Sequence, residues 1–217
     1  MASSGLTEVT GRAHAAARRA GREPDDITIV AVSKTVGPKE ILAAYESGHR
    51  HFGENRSHEL VEKAAVLPDD IVWHFVGTLQ SRKARDVAPI AAVVHSVDRV
   101  SLLKEFAKHP NQSRLLIQVN LAHEAQKHGV DPVDVEPLLR SAAELGVSIS
   151  GLMLMPPLVV TAEENRHWFS QLATLQRKLR VAWPGLAELS MGMTDDFEVA
   201  IEEGATLIRV GRAIFGS

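Results

Sequence analysis

The sequence contains no cysteine, a single tyrosine and only 5% aromatic residues. The missing cysteine removes disulfides, thiolate nucleophiles and cysteine-based metal sites, although it does not by itself fix the compartment. Chemistry must come from other side chains. No stretch approaches the roughly 18 uninterrupted apolar residues of a membrane span, and the start, MASSGLTEVTGRAHAAARRAGREP, lacks the apolar centre of a signal peptide. A cytoplasmic protein without membrane attachment is the expectation. An excess of one charge is missing too: 24 basic and 27 acidic residues give a net charge of -3, and no basic run is interleaved with aromatics, so nothing favours nucleic acid. Ten histidines are present, and His49, His51 and His58 lie close in sequence. No HExxH occurs and no pair finds a third ligand at zinc-like spacing, so structural or surface roles are expected and no metal. A Ser-His-Asp triad lacks the GxSxG elbow that would support it.

What is there is enough for one sizeable core: 217 residues, 45% hydrophobic. No linker, low-complexity tract or charge block divides the chain, and a single domain over residues 1–217 is expected. Residues 5–21 read as an amphipathic helix ended near Gly21 and Pro24, with Arg18 and Arg19 forming a solvated basic face near its C-terminus. Residues 1–24 are thus an N-terminal helix packed on whatever follows. From Ile27 onward, β-rich runs alternate with helical patterns: ITIVAVS, HRHFG, IVWHFVG, AAVVHSV, RLLIQVN, SISGLML, AELSM and TLIRV. Eight runs match the strand number of a (β/α)8 barrel, with a doubly wound open sheet as the alternative. In RLLIQVN, alternation sends Leu115, Ile117 and Val119 one way and Arg114, Leu116, Gln118 and Asn120 the other, the second set reading as a polar lumen. In TLIRV, Leu207 and Arg209 share a face, which aims Arg209 where a barrel places a ligand.

Barrel enzymes keep their working groups at strand C-termini, and three stretches put chemistry there. Lys34 follows the apolar run of VAVSKT. It either snorkels into solvent or is a reactive amine, and the second role requires its ordinary pKa of about 10.4 to be lowered. At the chain end, LIRVGRAIFGS runs from a strand into Gly211, Arg212 and a short apolar turn, a place where barrels bind phosphate through backbone N–H groups. Ser190 and Gly192, in LSMGMTDD, are placed to complete such a cradle. HFGENR carries Asn55 from a strand end into a helix, where it either caps the helix or meets a ring hydroxyl or carbonyl.

The segments VAVSKT, HFGENR, WHFVGTLQSRK, HSVDR, GLMLMPP, LSMGMTDDFEVAIEEGAT and IRVGRAIFG resemble the YggS/PROSC family of pyridoxal phosphate homeostasis proteins across residues 30–216. The resemblance implies a single TIM-type barrel of pyridoxal-phosphate fold type III, similar to the N-terminal domain of alanine racemase, with pyridoxal 5′-phosphate held as a Schiff base on Lys34. It further implies that Ser190, Gly211 and Arg212 hold the phosphate, that Asn55 lies against the cofactor, and that Arg209 faces the pyridine nitrogen. An arginine only donates hydrogen bonds, so that nitrogen would be unprotonated and the ring a weaker electron sink. The implied function is storage, buffering or delivery of the cofactor to apo enzymes by a monomer, without robust turnover.

Two enzymatic alternatives share the lysine: an amino-acid racemase and a Schiff-base aldolase acting on a sugar phosphate. A racemase needs an acid or base on each face of the substrate carbon, and Tyr45, the sole tyrosine, sits in a helical context with Ile41 and Leu42 that suits packing. The chain departs from the family pattern where Arg212 replaces a usual serine or threonine and where Thr78 replaces a common histidine. The loop around Asn120–Gly129 also differs, although Lys127 there matches a family lysine that implies a secondary cofactor contact.

Overall fold

Residues 2–109, 113–122 and 128–216 are described by the structure, a computed structural model. The β-branched run after Ile27 forms β1 (Thr28–Val32), and each later run also becomes a strand: β2 (His51–Glu54), β3 (Val72–Phe75), β4 (Ala91–Val97), β5 (Arg114–Val119), β6 (Ile149–Leu154), β7 (Glu188–Ser190) and β8 (Leu207–Val210). Every neighbouring pair is parallel, and β8 returns to β1 with Val30 opposite Arg209, so the sheet is a closed eight-stranded barrel. The open-sheet alternative is excluded.

Helices α1 (Ala2–Arg19), α2 (Pro38–Glu46), α3 (Ser57–Ala64), α4 (Ala84–Val87), α5 (Val100–Phe106), α6 (Val135–Glu144), α7 (Arg166–Arg180), α8 (Phe197–Glu202) and α9 (Arg212–Phe215) accompany the strands. The main core lies between helices and barrel, where Phe52, Leu115, Ile117, Phe169, Phe197 and Ile208 are buried. A second apolar layer fills the lumen: Val30, Val93, Leu116, Met153 and Leu207 meet inside the barrel, each buried. The inward face of β5 is therefore not uniformly polar, because Leu116 belongs to a plug that excludes water from the barrel axis.

The N-terminal helix docks on α8 and α9. A Cβ at Gly5 would come within 2.4 Å of the Ala213 carbonyl oxygen, so the missing side chain lets the two backbones touch. Arg12 and Arg19 pair with Glu198 and Glu202 at 3.1 and 2.9 Å, and Arg22 donates to the carbonyls of Ile201 and Ala205. The face expected to be merely solvated is thus partly a docking surface, although Arg18 is exposed. Among the described residues, no helix is long and apolar enough to cross a membrane.

Candidate ligand site at the C-terminal mouth of the barrel

The strand C-termini open into a cavity of about 580 Å³. Lys34, Asn55, Arg209, Gly211 and Arg212 line it, together with Met155, residues 157–162, Asn165 and residues 193–196. Five sequence-predicted residues from three strand ends are thereby brought together.

The end of β1 is anchored from below. Ser33 is fully buried, and its hydroxyl donates to Glu54 Oε1 at 2.6 Å. Lys63 Nζ bridges Glu54 Oε1 at 2.7 Å and the Ser33 carbonyl at 2.8 Å. Burial raises the Glu54 carboxyl pKa, against the lowering effect of its bonds to Lys63 and Ser33. The cluster ties β1, β2 and α3 together directly beneath Lys34, whose own side chain is exposed. Thr35, the next residue, has φ 63 and donates its N–H to Glu59. Among the described residues it is the only non-glycine with positive φ, and a β-branched side chain is strained there.

Asn55 does not cap α3; the cap position is Arg56. The Asn55 Oδ1 is buried without a hydrogen-bond partner, and its backbone is clamped by Gly77, where a Cβ would lie 2.1 Å from the Asn55 carbonyl oxygen. Asn165, also in the cavity wall, donates to Asp196 Oδ2 at 2.8 Å and has an unpartnered Oδ1, while Asp196 Oδ1 accepts from the Met193 N–H at 2.7 Å. Two orphaned amide oxygens in one wall set are what a pocket lacking its ligand's donors shows.

Arg209 is buried, and its guanidinium donates to Ser190 Oγ at 2.6 Å and to the Leu154 carbonyl at 2.9 Å. Burial brings its pKa down to about 10, with Asp196 opposing the fall, so it remains protonated at neutral pH. Ser190 is fully buried beside Arg209 and does not line the cavity. Gly192 has φ 92 and accepts from the Arg209 N–H; a Cβ there would approach Ala200 Cβ to 2.6 Å. It is a turn required by packing, not part of the cavity wall. Gly211 precedes α9, and Arg212, with a largely exposed side chain, forms an ion pair with Asp195.

Tyr45 lies away from the cavity, where its hydroxyl donates to Asp70 at 2.7 Å and Arg50 stacks on its ring. Ile41 is buried but Leu42 is exposed, so the three residues do not share one packed face. Thr78 is exposed, and Lys127 lies outside the described residues. The sequence reading gave no role to Asn165, Asp196 or Lys63: Glu54 and Asp196 lie in the quoted HFGENR and LSMGMTDD stretches, but only the fold pairs them with Lys63 and Asn165. Among the described residues, no group of three or more histidines and carboxylates is placed to hold a metal.

The profile of the alanine racemase N-terminal domain family matches residues 11–217. A protein of Aquifex aeolicus called pyridoxal phosphate homeostasis protein is 39% identical over 97% of this chain and 96% of its own length. The chain belongs to the pyridoxal phosphate homeostasis protein family. A family member of the same name from Vibrio alginolyticus is 38% identical over 98% of this chain and 95% of its own. A solved structure of PipY from Synechococcus elongatus PCC7942, with PLP bound, superposes with a TM-score of 0.85 at 36% identity and covers 100% of both chains. The barrel is thus shared with that structure along the full chain.

Proposed function

We propose that the chain binds pyridoxal 5′-phosphate covalently through Lys34 and serves cofactor homeostasis as a single-domain cytoplasmic monomer that stores the cofactor and passes it to apo enzymes. The observation that carries this reading is the convergence of the Lys34 amine and the Arg209 guanidinium on one cavity of about 580 Å³. Membership of the family and likeness to a PLP-bound relative support it. When bound, the cofactor supplies an electrophilic aldehyde carbon on an aromatic ring.

The chain's residues account for the rest. Lys34 presents the nucleophilic amine at the mouth. Arg209, which can only donate, suits an unprotonated ring nitrogen as acceptor and offers no carboxylate to protonate it. Asn55 presents an unsatisfied acceptor to a ring hydroxyl. Gly211 and Arg212 offer backbone N–H groups at the start of α9 for the phosphate, and the Arg212 side chain reaches that anion by leaving Asp195. Ser190, closed on Arg209 and His95 behind the cavity wall, serves the cofactor by holding the guanidinium rather than by touching the phosphate.

Turnover lacks support at the same positions. The Tyr45 hydroxyl is spent on Asp70, away from the cavity, and Asp196 in the wall is held by Met193 and Asn165.

Titration with pyridoxal 5′-phosphate, followed by absorption, tests the reading. The chain is expected to develop a near-visible band absent from the free cofactor, and Lys34→Ala to develop none. Incubation of the loaded protein with amino acids in deuterated water is expected to leave the Cα proton in place. Rapid exchange would favour the racemase reading instead, and a chain that never develops the band would overturn cofactor binding.

A further inference from the structure

Three histidines stand in series inside the lumen. His51 Nδ1 lies 3.0 Å from His74 Nε2, His74 Nδ1 lies 2.9 Å from His95 Nε2, and His95 Nδ1 lies 2.7 Å from Ser190 Oγ. The chain ends on Arg209, which donates to the same Ser190 oxygen. His74 and His95 are fully buried and His51 partly so. The row climbs from the first residue of β2, at the N-terminal mouth, through the middle of β3 and β4 to the site end of β7 and β8. An apolar layer fills the same lumen, so three imidazoles in place of hydrocarbon cost desolvation that packing alone does not explain.

The proton positions along this row follow from its ends. Arg209 can only donate, so Ser190 Oγ accepts from it. If His95 Nδ1 also carried a hydrogen, Ser190 would accept twice and its own hydrogen would have no acceptor among its described bonds. Ser190 therefore donates to a bare His95 Nδ1. His95 then donates through Nε2 to His74 Nδ1, and His74 through Nε2 to His51 Nδ1. Every lone pair points toward Arg209 and every hydrogen away from it, an orientation the guanidinium charge itself favours. Among the described residues, the charged groups acting on the row lie at its ends: Arg209 above, with Asp196 beyond it, and Arg114, paired with Glu188, at the lower mouth. His49 donates to the His51 backbone: its Nε2 lies 2.8 Å from the His51 carbonyl oxygen, which only accepts, so Nε2 carries the hydrogen.

We propose that His51, His74 and His95 form one polarised hydrogen-bond relay that stands in for a counter-ion to Arg209, making His95 a positioning residue that fixes the guanidinium through Ser190. Burial holds the rings neutral, with His74 and His95 far below the usual histidine range, which is the state such a relay requires. The relay also connects the ligand cavity to the opposite mouth of the barrel by shared protons.

Two measurements test this. In the full chain with isotope-labelled histidine and no ligand, long-range nitrogen–proton correlation reads the tautomers. The expected result is a bare Nδ1 and protonated Nε2 at His95, His74 and His51; a hydrogen on His95 Nδ1, or a charged His95, overturns the relay. The second measurement, which rests on the proposed cofactor binding, compares His95→Leu with His95→Asn, whose amide oxygen replaces the Nδ1 acceptor. With folding verified by circular dichroism, the Kd for pyridoxal 5′-phosphate is expected to rise roughly tenfold in the leucine variant and to stay within about threefold in the asparagine variant. A folded leucine variant with wild-type affinity, or equal losses in both, overturns the positioning role. Should the leucine variant not fold, the tautomers decide. If the wild type itself binds no cofactor, the functional reading falls while the tautomer result stands.

Discussion

Thr35 concentrates in one residue the tension between stability and the position of Lys34. Its φ of 63 is costly for a β-branched side chain, and it is held there by Glu59 on α3 and by the buried Ser33–Glu54–Lys63 cluster behind it. Thr35→Gly should raise the thermal midpoint, since a strain release of about 1 kcal/mol moves the midpoint of a chain this size by about 2–4 °C. A thermal scan of the unliganded chain checks this, and an unchanged or lowered midpoint would mean the turn is not strained. Lys34, Asn55, Arg209, Gly211 and Arg212 were legible in the sequence because all five sit just at or beyond strand C-termini, where a barrel gathers side chains regardless of loop detail. Ser190 was legible as a neighbour of the site, but a strand residue's sequence does not tell whether it opens to the cavity or closes on Arg209 and His95, as it does. Asn165 was not legible at all. It follows a polar turn long after β6 ends, and only the return of that loop over the barrel mouth brings it there.

At the scale of elements, the mouth is set by how closely the loops after β2 and β3 can approach. Gly77 lets the two backbones meet, and a methyl group there would sit 2.1 Å from the Asn55 carbonyl oxygen. Gly77→Ala should therefore push Asn55 out of the wall, costing about 1–3 kcal/mol of stability and weakening ligand binding together. Denaturant unfolding alongside a ligand titration measures both, and a variant that loses neither would show that Asn55 does not depend on the clamp. All eight strands were readable as β-rich runs because a closed parallel sheet buries both faces of each strand. The lumen was less readable: the same alternation that aims Arg209 inward also aims Leu116 and Leu207 inward, and composition cannot say which layer will be apolar. The docking of α1 on α8 and α9 was foreseen only as packing, because the ion pairs of Arg12 and Arg19 join residues far apart in sequence.

The whole molecule is a barrel whose lumen is split between an apolar plug and a polar row, and that division makes its stability sensitive to acid. Burial lowers the pKa of His49 from 6.5 to about 4 and holds His74 and His95 well below their usual range. A neutral His49 therefore contributes its full stabilisation above about pH 6.5 and loses it as the pH falls through about 4, a shift worth roughly 3 kcal/mol. Glu54 and Glu188, whose pKa values burial raises, act in the opposite sense on acidification, but they are two groups against four histidines. Thermal midpoints should fall steadily between pH 6.5 and 4, whereas a flat profile would mean these rings are not buried neutral. The central claim, that this barrel carries its cofactor on one lysine, is tested most directly by loading the chain with pyridoxal 5′-phosphate, reducing with borohydride, and mapping the adduct by peptide mass spectrometry. The account predicts one modified residue, Lys34, and no stable adduct in Lys34→Ala; an adduct on another lysine, or undiminished labelling of the variant, would contradict it.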